Sequence, residues 1–144
     1  MDPKQFQYLA SRLAEYGTHP VEFRTAISRA YYAAFHSGLN LLKGMGFHIV
    51  KNEYAHNEVY KHFNNSGDKD LEIAASKINN LRTKRNHADY HLERTDVEFQ
   101  KNAKTWVHSA ERLIENMDRS CNGKNRTQII KAIRNWKTIV RRKP

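Results

Sequence analysis

Residues 82–91 read Arg82-Thr83-Lys84-Arg85-Asn86-His87-Ala88-Asp89-Tyr90-His91, a dense run of side chains suited to chemistry on a phosphate ester. An imidazole titrates near pH 6.5, so it can take a proton from a ribose 2′-hydroxyl and return one to a leaving oxygen. A guanidinium can grip two phosphate oxygens at once and offset the charge that builds on them. An amide such as Asn86 can orient either group. No cluster of carboxylates accompanies them, which argues against a two-metal nuclease.

The usefulness of this run depends on the backbone beneath it. On a helix, Arg82, Arg85, Asn86 and Asp89 fall at three- to four-residue spacing and share a face. Leu81 and Ala88 turn to the core. His91 falls just past the helix, in a turn from which it could fold back over the polar face. The chemistry requires Arg85 and His91 to converge. The plainer alternative is a solvated helix end whose cations favour the C-terminal carbonyls.

The rest of the chain reads as helix. Asp2-Pro3 looks like a cap followed by proline at the first helical position, and Phe6, Leu9, Leu13 and Tyr16 mark one apolar face. Gly17 to Pro20 breaks that helix and opens a second, over about 21–43, which Gly44 and Gly46 end. Its stripe includes Phe23, Ile27, Tyr31 and Phe35. A shorter helix spans about 54–63, and a fourth starts near Asp68. Thr95-Asp96-Val97-Glu98 has the form of a capping box before a fifth helix. The last segment, from about Thr127, sets Ile129, Ile130, Ile133, Trp136 and Val140 apart from its cations. The fold class is therefore all-α: an up-down bundle of four to five main helices over 1–120, and a basic amphipathic helix over 121–144.

Composition bounds the function. Fifteen aromatic residues among 144 support a folded core, and the net charge is +10. The charge is lopsided. Residues 1–118 carry 16 Lys+Arg against 15 Asp+Glu, while 119–144 carry nine and no acid. That asymmetry suggests a polyanionic partner such as RNA, with Lys131, Arg134, Lys137, Arg141 and Arg142 as backbone contacts. No uncharged run approaches a membrane span. One cysteine, Cys121, leaves no disulfide framework, so the cytoplasm is the expected location. Glu53-x-x-His56 is half of a di-iron spacing, and His87 and His91 sit at i, i+4 without an obvious third ligand. No metal and no cofactor are expected.

The run Arg24-Thr-Ala-Ile-Ser-Arg-Ala-Tyr-Tyr-Ala-Ala-Phe-His36 resembles the signature second helix of HEPN domains. Arg85-Asn86, four residues and then His91 resembles that family's Arg…His motif, and His56 to Phe63 resembles its third helix. The likeness covers roughly residues 5–118. It implies a small helical bundle that pairs as a homodimer, two Arg…His motifs meeting in one composite site, and metal-independent RNA cleavage by 2′-hydroxyl attack. It places such proteins in toxin–antitoxin and phage-defence systems. Others in the family only bind nucleotide, RNA or protein.

On that likeness Arg85, Asn86 and His91 are the expected catalytic residues. Arg82, His87 and Tyr90 support them, and Arg24 and Arg29 line the RNA path. Arg82 with His87 is the alternative register. A cognate antitoxin or nucleotidyltransferase is the further partner implied. The toxin subgroup paired with a nucleotidyltransferase places a tyrosine two residues after the histidine. Here Asp89 and Glu93 stand at those positions, and Tyr90 is off register.

Overall fold

A computed structural model describes residues 1–142; Lys143 and Pro144, the end of the basic segment, lie outside the described residues. Six α-helices follow one another: α1 (Lys4–Tyr16), α2 (Pro20–Gly44), α3 (Ala55–Asn64), α4 (Lys69–Tyr90), α5 (Gln100–Cys121) and α6 (Arg126–Arg142). A short 3₁₀ turn, Asp96–Glu98, links α4 to α5. No strand occurs among the described residues, so the fold is all-α.

Local chemistry sets most helix starts. The Asp68 carboxylate accepts from the Leu71 amide at 3.1 Å and caps α4. At α2 the Glu22 carboxylate reaches back to the amides of Thr18 and His19, both at 3.0 Å. Those hydrogen bonds hold the Glu22 carboxyl below its usual range. Gly46, at φ +95°, supplies the left-handed turn that leaves α2. The capping box expected at Thr95 and Glu98 does not form. Thr95 makes no side-chain cap, α5 starts at Gln100, and Glu98 is drawn instead to the guanidinium of Arg24. A buried charge draws a carboxylate more strongly than a backbone amide does.

Helix α2 runs through the middle, with α1, α3, α4 and α5 packed around it. Its small residues make this possible: Ala26, Ala30, Ala33 and Ala34 are fully buried beside Ile27 and Tyr31. A methyl group on Gly38 would come within 3.2 Å of the Phe63 ring, so glycine sets how closely α3 crosses. On α1 the buried line is Gln7, Ala10 and Ala14, rather than Phe6, Leu9, Leu13 and Tyr16. Short side chains let α1 lie close to its neighbours, and the larger ones flank the contact; Tyr16 is exposed.

The basic C-terminal helix is part of the same core. Ile129 and Ile133 are buried, and Trp136 meets the His62 ring edge-on at 5.1 Å. Burying each isoleucine contributes about 1.5–3 kcal/mol. Arg126 donates to the Gly44 carbonyl at 2.9 Å, and Ala132 lies against Gly67. Helix α6 therefore sits where α2 ends and α4 begins. The chemistry-bearing run lies at the other end of α4, roughly 30 Å away at 1.5 Å per residue. No helix among the described residues is long and apolar enough to cross a membrane.

Candidate functional site

Arg24 builds the site's frame. Its side chain is 8% exposed, and its guanidinium donates to the backbone carbonyls of His87, Ala88, His91, Leu92 and Arg94. Its Nε donates to Glu98 at 2.9 Å. The last carbonyls of a helix have no partner within it. One arginine from α2 supplies that partner and ties down the turn beyond. This corrects the expectation that Arg24 contacts RNA, because every arm of its guanidinium is bonded internally.

From this frame α4 presents two flanks. On the first, Arg85 Nε lies 3.0 Å from Asp89 Oδ2, off-axis for a hydrogen bond. Its Nη1 donates to Asn86 Oδ1 at 3.1 Å, and its Nη2 donates to the Tyr32 hydroxyl. The guanidinium lies over the rings of Tyr32 and Tyr90, at 5.1 and 5.2 Å. Ser28 donates to Asp89 at 2.9 Å, and Arg29 stacks on Tyr32 at 4.7 Å. Tyr32 also stacks with His36. Beyond them, Tyr31 and His56 meet hydroxyl to Nδ1, and His56 stacks on Phe35 at 4.2 Å. Burial, then the charges of Arg82 and Arg85, hold the His56 imidazole down to a pKa of about 4.

The second flank faces the turn before α5. His87 and His91 meet edge-on at 5.6 Å, and His91 Nδ1 lies 3.1 Å from Glu93. Lys84 and Arg94 both bond Asp96, at 3.1 and 3.2 Å, and hold its carboxyl down to about 2. Desolvation, with Arg94 and Lys84 nearby, lowers the His87 pKa; its Nδ1 is buried without a partner. Exposed Tyr90 and Leu92, at 69% and 76%, rim this end.

Arg85 and His91 therefore do not converge within one chain. Six residues at about 100° each separate them by roughly 120° around the helix axis. They share no hydrogen-bond or ring partner. The Arg82–His87 register splits in the same way: Arg82 acts on Tyr31 and His56, while His87 faces the turn. Asn86 stays beside Arg85, and Tyr90 packs under it. Arg29 remains a half-buried cation on the first flank. Lys131, Arg134, Arg141 and Arg142 are exposed on α6, and Lys137 lies over the Phe47 ring at 5.5 Å. All five belong to the end of the bundle away from the motif.

Sequence reasoning passed over the Tyr31–His56 pair. By spacing Tyr31 reads as core, where it lies, and His56 reads as half of a metal spacing and as the start of the third-helix resemblance. The available signal was the helical register: the Tyr31-Tyr32 step sends one ring inward and the other toward α4. No group of three or more His, Cys, Asp or Glu side chains is arranged to hold a metal ion among the described residues.

Fold and site together define a small all-α bundle with a cation- and imidazole-rich cluster where α2 begins and α4 ends. Comparison with protein-family models, curated proteins and solved structures finds no match to this chain.

Proposed function

We propose that this chain is a HEPN-like, metal-independent endoribonuclease that works as a homodimer. The observation that carries this reading is the open end of α4. His91 stands half-exposed there between exposed Tyr90 and Leu92, an apolar rim that a second copy would cover. Such pairing would bring one copy's Arg85 toward the other copy's His91. Arg85 would then hold the scissile phosphate, oriented by Asn86, while His91 moves the proton. The 2′-oxygen bonds to phosphorus as the P–O5′ bond breaks, which leaves a 2′,3′-cyclic phosphate. The exposed cations of α6 would follow the RNA backbone away from the scission point. A cognate antitoxin would be a natural partner for such an activity.

The test is cleavage of labelled RNA by the purified chain in excess chelator. Wild type should cut, and Arg85→Ala and His91→Ala should each lose about 10²–10⁴-fold. A mixture of the two variants should regain activity, because a mixed pair keeps Arg85 of one copy opposite His91 of the other. Equal background from wild type and both variants would defeat the nuclease reading. A second reading, an RNA- or nucleotide-binding module without catalysis, is favoured by the bonding of Arg85 to Asp89, Asn86 and Tyr32 with no imidazole among them. It predicts RNA binding without cleavage.

A further inference from the structure

We propose that the first flank of α4 holds a phosphate seat formed by Arg82, Arg85 and the Nε2 of His56, with Tyr31 as the positioning residue behind it. The inference rests on the RNA reading for its ligand class; it shares Arg85 with that reading, adds Arg82 and His56, and leaves His91 out.

The argument begins with the buried phenol. Tyr31 is fully buried, and His56 Nδ1 is the only hydrogen-bond partner of its hydroxyl among the described residues. A buried hydroxyl proton needs an acceptor. If Nδ1 carried the ring hydrogen, the phenol proton would face none. Burial also raises the Tyr31 pKa, so the phenol keeps its proton. Tyr31 therefore donates to Nδ1, and the ring hydrogen of His56 sits on Nε2. The Phe35 ring, stacked at 4.2 Å, fixes the plane of the imidazole.

Nε2 has no hydrogen-bond partner among the described residues, and it is not sealed from solvent. It presents an uncharged N–H donor to the outside. Arg82 lies one turn before Arg85 on the same helix face and makes no hydrogen bond or ion pair among the described residues. Arg85 donates to the Tyr32 hydroxyl, the Tyr32 ring lies 5.5 Å from Tyr31, and Tyr31 meets His56, so this face of α4 stands beside the imidazole, and both guanidinia help lower its pKa. One cation held in place, Arg85, one without a partner among the described residues, Arg82, and a neutral donor of fixed tautomer suit a phosphate oxygen, and the imidazole needs no protonation to bind it. The same chemistry serves an internal phosphodiester of RNA or a terminal phosphate monoester.

The experiment follows the His56 ring by ¹⁵N and ¹H resonance in the full chain. The ligands are inorganic phosphate, an oligoribonucleotide with a 5′-hydroxyl, and the same oligonucleotide with a 5′-phosphate. The unliganded spectrum should show the Nε2–H tautomer, and Tyr31→Phe should show a mixture of both. Phosphate should move the Nε2 resonance saturably. A bound anion offsets the two guanidinia, so it should also raise the His56 titration midpoint by about one unit. Arg82→Gln should weaken phosphate binding about tenfold. Movement with the 5′-hydroxyl oligonucleotide assigns the seat to an internal diester. Movement only with the 5′-phosphate assigns it to a chain end.

A silent His56 with phosphate and both oligonucleotides overturns the seat, as does undiminished affinity in Arg82→Gln. RNA binding or cleavage with His56 silent removes the seat and leaves the ribonuclease reading intact. Phosphate seated at His56 in a chain that cuts no RNA keeps the seat and removes the nuclease.

Discussion

The two ends of the bundle are both rich in cations, yet they use them in opposite ways. Where α2 begins and α4 ends, Arg24 is spent on five carbonyls and Glu98, Lys84 and Arg94 on Asp96, and Arg85 on Asp89, Asn86 and Tyr32. On α6, Lys131, Arg134, Arg141 and Arg142 stand in solvent without an acidic partner among the described residues. Formal charge per segment thus misjudges what a polyanion meets. The nearly neutral body holds charge in fixed geometry, which favours specificity. The basic helix offers exposed, unpaired charge, which favours salt-sensitive affinity.

The contrast can be broken most forcefully at Arg24. Arg24→Met should cost about 3–5 kcal/mol, because it leaves the part-buried Glu98 without its cation and takes a donor from five carbonyls, of which only those of His87 and His91 keep a backbone amide. A denaturant melt measures this, and a loss below about 1 kcal/mol would make the motif end no more fixed than the tail. Next comes the core beneath the tail. Ile133→Ala should cost about 2–4 kcal/mol in the same assay if α6 belongs to the body's core. A neutral result would make α6 a detachable arm.

Acid should weaken the body more gently. His56 has a folded pKa of about 4, and His36, His62 and His87 are also lowered. The unfolded chain therefore binds protons first, and stability should fall as pH drops from about 6.5 toward 4. Thermal melts across that range should show the decline, and His56→Gln should flatten part of it. A flat profile in wild type would remove the buried-imidazole account. The smallest effect belongs to the tail. Lys131→Gln with Arg134→Gln should leave the melting temperature unchanged and lower the slope of log affinity for single-stranded RNA against log salt by about 1.4. An unchanged slope would detach α6 from RNA.

The helices were legible in the sequence because their start and stop signals are chemical and local. Asp68 caps α4 through its own side chain, and Gly46 takes the left-handed turn that few other residues tolerate. The burial of Tyr31 and Phe35 also followed from spacing. What spacing could not show was competition across the fold. Thr95 and Glu98 fit a capping box, but Arg24, 74 residues earlier, takes the carboxylate. The convergence of Arg85 and His91 failed for a similar reason. Motif separation counts residues, whereas six helical steps rotate the second side chain to another flank. On α1 the larger apolar residues suggested the wrong line, because close helix approach selects alanine.

The bonds from Arg24 bear on how the molecule opens. The final turn of a helix usually frays and exchanges its amide hydrogens early. Here the His91 amide bonds to His87 and the Arg94 amide to His91, and the same guanidinium holds both accepting carbonyls. Deuterium should therefore enter these two positions only when α2 and α4 come apart, at rates close to those of the bundle's centre.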